Sequence, residues 1–583
     1  FSASRKKCGR AGSDRRGTRQ TLGESCKPGQ LLVNASRRTG REAIPDMYLK
    51  IGSTLEPGRY GNKTCNDRFE LYWEGILFLP GVNAGEESAR RLLEDLCAQE
   101  GPHAIVENIL RLRGNWTLFL RILANDTWIA CADHSHQSHL YYSTAGVSSS
   151  FLRIREEIAD KTRLSYPALL HFLCAGVCHD HRTPYDEIAI LDYRDYILIS
   201  HGKIEVLPKG LPDFLAHKGV QHSFLDGVDR LFGSLRGESL CVDLTAGADS
   251  RSFAIALHHL GYDFDVATDG DKDFTEVQTA RQVAALLGKE FKQRDVCADE
   301  LPSTFPRDAW YAGDGLDFQP FSYAFESWRE RLGYSCVVSC IAGELYKDAG
   351  WYRPALRSLL STAPVARLIK RMVATGTVLI WDSTPQLELL SMLSSRLRPD
   401  VETWLQETTM RLTSVYERYP VLEAADRLFF DFGTNRPAGT KNLRMPRYCP
   451  LTEQDLVRVG VNQPIYRRLN HNFYRREIGR LNLQVAGVPT DRIGLTLSPR
   501  LRDAPREWWK YLSVLARKLC GLPGRKFKNE NRNHTVLTRF LLAHPDLKEA
   551  MTRLTDLGII SPDLASPTLN QARRILALHY MLS

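Results

Sequence analysis

The feature that most constrains the fold is a strand-like run that leads through a small-residue loop into a helix. Residues 239–244 read SLCVDL, a short apolar run of the kind found in buried parallel strands. TAGAD follows at 245–249, and SRSFAIALHHLG (250–261) has the apolar spacing of a helix that stops at its final glycine. Such a loop lets backbone N–H groups and the positive end of the helix surround a phosphate.

The loop fits neither of two common phosphate-binding patterns. It lacks the Lys-Ser/Thr ending of a Walker loop and the GxGxxG spacing of a dinucleotide site. It carries a carboxylate instead, Asp249, and the physical role we expect for it is to hold a Mg²⁺ that neutralises a leaving pyrophosphate. The plainer alternative is a strand, a turn and a helix capped by Asp249.

The order of strand, loop and helix recurs downstream. YDFDVATDG (262–270) leads into a helix within 271–288, and YSCVVSC (334–340) leads into IAGELYKDAGW (341–351). We predict that the helix within 271–288 turns these side chains inward: Val277, Ala280, Val283, Ala284 and Leu287. Alternating strands and helices predict a doubly wound parallel sheet that binds ligands at the carboxyl ends of its strands. The loops after the first and third strands should then face one crevice, with Glu344 as the acid of the third loop.

Charge and hydropathy limit the classes of partner. The formal net charge is +9, but residues 1–46 carry +7 of it and the rest of the chain is nearly neutral. Residues 1–46 are rich in Arg, Gly and Ser without apolar periodicity, which predicts a disordered basic segment outside the folded part. No window has the length and apolar content of a membrane span. We expect a cytoplasmic protein with neither a membrane nor a nucleic-acid partner.

One cysteine and histidine cluster has the chemistry of a zinc site. HFLCAGVCHDH offers five candidate ligands: His171, Cys174, Cys178, His179 and His181. Structural zinc sites usually combine two short ligand clusters, and the sequence has no visible second one. The other cysteines are scattered through apolar runs, as reduced buried thiols are. The cluster therefore favours a buried helix end and a polar turn.

Together these segments resemble the asparagine synthetase family. LTAGADSR is similar to the family's pyrophosphate loop, usually Ser/Thr-Gly-Gly-x-Asp-Ser, and SCIAGELYKDAGW to its Gly-x-Gly-x-Asp/Glu loop. PRYCPLTEQDLVRVGVNQPIYRR (446–468) resembles a further stretch of the synthetase domain. FELYWEGILFL (69–79) and residues 112–143 resemble strands of the family's N-terminal amidotransferase domain. The Thr start and the Arg after Ser resemble the branch near surface-polysaccharide and peptide-modification relatives.

The resemblance implies an α/β fold of two domains. Residues 47–205 would form an αββα sandwich of the Ntn-amidotransferase type. Residues 215–583 would form an ATP-pyrophosphatase (PP-loop, adenine-nucleotide α-hydrolase-like) domain, a doubly wound parallel sheet with extra C-terminal helices. The implied pyrophosphate-binding residues are Thr245, Ala246, Gly247, Ala248, Asp249, Ser250 and Arg251. Asp249 and Glu344 would hold Mg²⁺, and Glu344 and Arg492 would be catalytic, Arg492 as the cation nearest to the family's late Lys.

The start of the predicted amidotransferase domain departs from the family pattern. Glutamine-using members carry a Cys directly after the initiator Met, and its thiol attacks the amide. Here Met47 is followed by Tyr48, and Cys65 lies inside the chain. We therefore expect a domain that is silent as a glutaminase, as in the β-lactam synthetases and lasso-peptide cyclases of the family.

The phosphate and third loops depart as well. Ile341 stands where those relatives have a catalytic Glu or Tyr, and the glycines around it are replaced by Cys340 and Ala342. Ala246 replaces a glycine of the phosphate loop, which removes freedom to adopt positive φ.

The family chemistry is activation of a carboxylate by ATP as an acyl-adenylate, with release of pyrophosphate, followed by attack of a nitrogen nucleophile. We expect ATP and Mg²⁺, a small-molecule or peptide carboxylate (aspartate, a uronic acid or a peptide side chain), and ammonia or a substrate amine. Because the third loop lacks residues that the family uses in catalysis, an alternative is a nucleotide-binding scaffold without ligase activity. A different adenylating enzyme, such as a tRNA-modifying one, is disfavoured by the near-neutral charge. A homodimer is compatible with the sequence.

Overall fold

The computed structural model describes residues 47–50, 55–56, 61–135, 137–159, 163–175, 182–217, 223–296, 301–347, 352–374, 390–434, 446–490, 495–500, 504–519 and 532–583. The predicted disordered segment 1–46 lies outside these residues, as do Arg492 and three members of the candidate zinc cluster, Cys178, His179 and His181. Residues 45–583 form one unit by their contacts, and the predicted domain boundary between 205 and 215 stays a prediction.

The described strands fall into three sheets. They are β1 Tyr48–Lys50, β2 Leu55–Glu56, β3 Asn62–Cys65, β4 Phe69–Gly75, β5 Trp116–Ile122, β6 Thr127–Ala132, β7 Tyr141–Ser143, β8 Gly146–Ser148, β9 Ala189–Ile190, β10 Asp195–Ser200, β11 Lys203–Pro208, β12 Leu240–Asp243, β13 Asp265–Asp269, β14 Phe291–Arg294, β15 Cys336–Val338 and β16 Arg447–Tyr448. Two sheets are antiparallel, in the orders β2-β1-β8-β7-β9 and β11-β10-β6-β5-β4-β3, and the third is parallel, in the order β14-β13-β12-β15-β16.

The first four α-helices that the structure describes lie between antiparallel strands along the chain, and the others follow β11. They are Glu86–Leu96, Pro102–Ile109, Phe151–Glu157, Tyr166–Ala175, Phe224–Phe232, Ala248–His259, Thr275–Leu287, Phe305–Ala312, Pro320–Glu330, Tyr352–Ser358, Pro364–Ala374, Arg398–Tyr416, Val421–Phe429, Gln454–Val461, Ile465–Arg468, Asn472–Glu477, Leu483–Ala486, Ala504–Leu519, Arg532–Ala543, Pro545–Asp556 and Leu569–Leu582. A short 3₁₀ helix, Gly343–Tyr346, follows β15.

The two antiparallel sheets share one apolar layer because their side chains alternate between faces. In β4, Leu71 and Trp73 pack into a cluster with the first two helices. Tyr72 points to the opposite face and packs with Leu49 of β1 and Val147 of β8, which belong to the other sheet. This alternation stacks helices, one sheet and then the other sheet in layers.

The parallel sheet carries the segments that the sequence singled out. Cys241 of β12 pairs with Asp265 of β13 on one side and with Val337 of β15 on the other. The helix Thr275–Leu287 buries the five side chains predicted to face inward, and it ends at Gly288 with a left-handed φ of 63°. The mixture of antiparallel and parallel sheets with helices confirms the α/β class.

Two expectations change in detail. The helix after the phosphate loop begins at Ala248 rather than Ser250, and its N-cap residue is Gly247, so Asp249 lies inside the first turn and is not the cap. Among the described residues, no helix combines the length and the apolar content needed to span a membrane.

Candidate functional site

The candidate site lies where the connections of the parallel sheet change direction. From β12 the chain proceeds to β13 and β14 on one side, whereas β15 and β16 add on the other side. The loops that leave the carboxyl ends of β12 and β15 therefore border the position at which such sheets usually bind ligands, called the crevice below. Leu244 N donates to Ala267 O at 3.0 Å, and the Thr268 hydroxyl donates to Leu244 O, which anchors the first loop to β13.

The loop after β12 is held by its own hydroxyl groups. Thr245 N donates to Ser250 Oγ at 3.0 Å, and the hydroxyls of Thr245 and Ser250 lie 3.0 Å apart. Gly247 N donates to Thr245 Oγ1 at 3.1 Å. These two backbone N–H groups are thus used inside the loop, which leaves the first N–H groups of the helix at Ala248 as the donors best suited to a phosphate.

Asp249 joins the two loops of the crevice. Its Oδ2 pairs with the ammonium of Lys347, at the end of the 3₁₀ helix after β15. Gly343 approaches it so closely that a Cβ on this glycine would lie 2.5 Å from Asp249 Cγ. The loops after β12 and β15 therefore meet at Asp249, as the strand order in the sequence suggested.

Tyr474, which is buried, and Cys340, which is half-buried, both have pKa values that burial and the charge of Asp249 raise. The Tyr474 hydroxyl donates to Gly343 O at 3.1 Å. Burial raises the pKa of Tyr474 well above its ordinary value, and the negative charge of Asp249 raises it further. Burial also raises the pKa of the Cys340 thiol, with added effect from Asp243 and Asp249. Cys340 is therefore a neutral thiol and not a thiolate nucleophile.

Ala342 adopts a backbone conformation that favours glycine. Its φ is 72° and its ψ is 6°, at the N-cap of the 3₁₀ helix, and its side chain is fully buried. The alanine that replaces a glycine here thus keeps the glycine-like turn at a cost in conformational energy. Ala246, the other replacement, has no positive φ, so the phosphate loop does not require glycine there.

The remaining predicted site residues occupy distinct settings. Glu344 lies half-buried in the first turn of the 3₁₀ helix, directly after the glycine that touches Asp249. Arg251 is fully buried, and its guanidinium donates to three carbonyl oxygens, those of Ala246, Val488 and Pro489. Arg251 thereby ties the phosphate loop to the turn that precedes residues 491–494.

A buried charged network at the end of β12 was not predicted. Arg329 is fully buried and pairs with Glu326, on its own helix, and with Asp243, the last residue of β12. Arg447 Nη2 donates to Ser339 Oγ at 2.9 Å on the neighbouring strand ends. Glu326 and Arg329 have the i,i+3 spacing of a helical ion pair, but that pattern is common on exposed helices and gave no signal of a site.

A second unpredicted network lies at the carboxyl end of β13. Arg294 Nε donates to Asp269 Oδ1 at 3.0 Å, and its Nη2 to Asp269 Oδ2 at 3.2 Å. Asn533, from a helix near the C-terminus, donates to Asp269 Oδ1 at 2.8 Å and to Arg294 O at 3.0 Å. The C-terminal helices therefore brace the edge of the crevice.

The fit of a Mg²⁺ depends on Asp249. Among the described residues, no cluster of three or more His, Cys, Asp or Glu side chains could hold a metal ion by itself. Asp249 Oδ1 is buried and makes no hydrogen bond with the residues that the structure describes, although Oδ2 is paired. A Mg²⁺ that takes most of its ligands from phosphate and water needs only one or two carboxylates, and this oxygen fits such a role.

The start of the antiparallel region has no thiol. Met47 is buried, and its backbone nitrogen donates to Glu74 Oε1 at 3.0 Å and to Ser149 Oγ at 3.1 Å. Cys65 is exposed on β3, at the edge of the six-stranded sheet. The candidate zinc cluster is described only in part, and its His171 is a buried ring packed 5.0 Å from Trp404.

Comparisons with known proteins give little support for any family. No protein-family model and no curated protein matches the sequence. Among solved structures, the chain is similar to glutamine phosphoribosylpyrophosphate amidotransferase from B. subtilis, which was complexed with ADP and GMP. The identity is 9%, the TM-score is 0.16, and the similarity covers 49% of this chain and 59% of that one. A similarity at this level carries no argument about the fold or ligands of this chain.

Proposed function

We propose that the chain is an ATP-dependent ligase of the asparagine synthetase type, which activates a carboxylate as an acyl-adenylate, releases pyrophosphate and forms an amide. The observation that supports this proposal most is the meeting of the loops after β12 and β15 at Asp249. A small-residue loop at the start of a helix, at the change of direction of a parallel sheet, suits a polyphosphate.

Different residues around this crevice would have different roles in such a reaction. The helix that begins at Ala248 would present backbone N–H groups to pyrophosphate, and the ammonium of Lys347 would offset its negative charge. Asp249 would hold a Mg²⁺, and Glu344, which follows the glycine that contacts Asp249, is the second carboxylate that we propose for it. The metal, when bound, would neutralise the leaving pyrophosphate. Tyr474 and Cys340 stay neutral, so they add no negative charge that would oppose the polyphosphate.

The substrates follow from the same reaction class. The carboxylate would be a small molecule or a peptide side chain, and the nitrogen donor would be ammonia or a substrate amine. The antiparallel layers, which end with β11, would correspond to an amidotransferase-type sandwich without glutaminase activity, because Tyr48 follows Met47 and Cys65 lies on an edge strand.

A nucleotide-binding scaffold is the second candidate. It is favoured by the Lys347 ion pair, which already neutralises Asp249, and by the backbone N–H groups of Thr245 and Gly247 that bond within the loop. The two candidates agree on nucleotide binding and differ on turnover.

The experiment that tests the proposal measures pyrophosphate release from Mg-ATP with a panel of carboxylates, each with and without ammonia. Asp249→Asn is the test variant, and Asp273→Asn, on the exposed turn before the helix Thr275–Leu287, is the matched control. The ligase proposal requires release that depends on one carboxylate, survives in the control and is lost in Asp249→Asn. ATP binding without release would favour the scaffold.

A further inference from the structure

A cavity of about 330 Å³ lies beside the six-stranded sheet, and no residue of the candidate site lines it. Its lining consists of Leu79, Pro80, Val82, Arg91, Arg111 and Arg113. Three guanidinium groups therefore face the same space as an apolar wall. The volume is within the range of sites for small molecules, but the space is partly open to solvent and half of its lining residues are arginines.

The walls of the cavity are fixed by hydrogen bonds that do not involve its guanidinium ends. Phe78 N donates to Arg113 O at 3.0 Å, and Arg113 N donates to Phe78 O at 2.8 Å. Gly81 N donates to Ser234 Oγ at 3.1 Å, and that hydroxyl donates to Leu79 O at 3.0 Å. A ligand would meet a pre-formed wall and would not need to order a loop.

Two of the three arginines share one carboxylate. Arg91 Nε lies 3.3 Å from Asp95 Oδ1, and Arg111 Nη1 lies 2.8 Å from Asp95 Oδ2. Arg91 also reaches Glu94 at 3.4 Å, in a pair that is exposed on both sides. The side chains of Arg91 and Arg111 are 57% and 54% exposed, so both can exchange these weak pairs for a solute.

The third arginine, Arg113, already has partners in the protein, because its Nη1 donates to Leu110 O and to Leu112 O, both at 2.9 Å. Arg113 Nε is buried and makes no hydrogen bond with the described residues, and its nearest carboxylate oxygens, on Glu453 and Asp455, are 4.0 Å away. Burial raises the pKa of Glu453 to about 8, and the charge of Arg113 opposes this shift. Asp455 is shared with Arg230, at 3.7 Å. Arg91 and Arg111, whose side chains are more than half exposed, are therefore the groups that an anion would engage first.

We propose that this cavity binds a small organic anion. Its carboxylate or phosphate group would contact the guanidinium groups, which match both anions in shape and can bind them through two hydrogen bonds. Its apolar body would lie against Leu79, Pro80 and Val82. The site is separate from the crevice at Asp249, and the proposal does not depend on the ligase activity.

The test uses benzoate, phenyl phosphate and inorganic phosphate as probes, titrated into the full chain by calorimetry in 50 mM salt. We expect saturable binding of benzoate or phenyl phosphate, and the stronger of the two identifies the anionic group; inorganic phosphate, which lacks the apolar body, should bind more weakly. Arg111→Gln should weaken binding about tenfold, since it removes a hydrogen bond to a charged group. Arg90→Gln is the matched control, because Arg90 is exposed on the same helix as Arg91, pairs with Glu86 and does not line the cavity.

Arginine modification locates the bound probe. The probe should protect Arg111, but not Arg90, from phenylglyoxal, as read by peptide mass spectrometry. Binding should also persist in Asp249→Asn, whose altered side chain lies in the other crevice. Absence of saturable binding would overturn the proposal, as would an equal effect of both arginine substitutions, absence of protection at Arg111, or loss of binding in Asp249→Asn.

Discussion

The ammonium of Lys347 pairs with Oδ2 of Asp249, so the loop after β15 supplies the counter-charge for the loop after β12. Both side chains are mostly buried, with 13% and 16% of their surface exposed. Asp249 would otherwise hold a negative charge against neutral neighbours such as Tyr474 and Cys340. The pair therefore connects the stability of the crevice to its chemistry.

Replacing Lys347 by Met should lower the free energy of unfolding by about 2 kcal/mol, because it leaves a largely buried carboxylate without its partner. The double variant Lys347→Met with Asp249→Asn should lose less than the sum of the single variants. Urea unfolding of the four proteins measures this coupling. The matched control is Lys63→Met, which breaks an ion pair that is 46% exposed at the lysine. An equal loss in Lys63→Met, or strict additivity, would contradict the account.

Gly343→Ala should disrupt the contact between the loops. A Cβ at this position would meet Asp249 Cγ at 2.5 Å, so either the carboxylate or the 3₁₀ helix has to move. Overpacking of this kind costs about 1–3 kcal/mol of stability. Nucleotide affinity, measured by calorimetry, should fall at the same time. A variant with wild-type stability and affinity would show that the two loops do not depend on each other.

Ala342→Gly should stabilise the protein. Its φ of 72° is costly for alanine and free for glycine, so we expect a gain of about 1 kcal/mol in thermal unfolding. Ala246→Gly is the matched control, because that residue has no positive φ and glycine only adds freedom to the unfolded chain. The two substitutions should therefore shift the melting temperature in opposite directions. A shift of the same sign in both would refute the argument from backbone conformation.

The sequence predicted the elements that depend on local periodicity. The helix Thr275–Leu287 buries the five predicted side chains and stops at the predicted glycine. Both features depend only on residues close in sequence, namely the apolar spacing and a glycine that can adopt the left-handed conformation. The crevice could also be predicted in outline, because alternating strands and helices restrict how a parallel sheet connects. The N-cap could not, since Asp249 is the stronger N-cap by residue type and the helix nevertheless begins after Gly247.

The sequence could not predict which residues pair with the buried charged side chains. Arg329 contacts Asp243 across 86 residues, and Lys347 contacts Asp249 across 98, so no local pattern marks either pair. The sequence also did not predict the partners of Arg251. This residue was predicted to bind pyrophosphate, but its guanidinium donates hydrogen bonds to the carbonyls of Ala246, Val488 and Pro489. Its residue type gave no sign of these contacts.

Glu453→Gln should change how stability depends on pH. Glu453 is buried, accepts a hydrogen bond from Gly114 N at 2.7 Å, and has its pKa raised by burial from 4.5 to about 8. The contribution of this carboxyl to folding is fully present below pH 4.5 and is lost as the pH rises toward 8, by roughly 1 kcal/mol per pH unit. The glutamine variant should become progressively more stable than the wild type over this window.

Unfolding in urea between pH 5 and pH 8.5 measures that difference. The groups that face Glu453 are Arg113, Asp133 and Asp455, and they are unchanged in the variant. Glu87→Gln, on an exposed part of the first described helix, should follow the wild-type profile at every pH. A constant offset for Glu453→Gln across the range would mean that this carboxyl does not titrate in the folded protein as expected.

The most direct test of the central claim is pyrophosphate release from Mg-ATP by the full chain, assayed with aspartate, uronic acids and short peptides, each with and without ammonia. We predict release that requires one of these carboxylates, is retained by Asp273→Asn and falls at least a hundredfold in Asp249→Asn, a loss within the range for removal of one electrostatic group. Release that is equal in the wild type and Asp249→Asn, or none with any carboxylate while ATP binds, would contradict a ligase at this crevice.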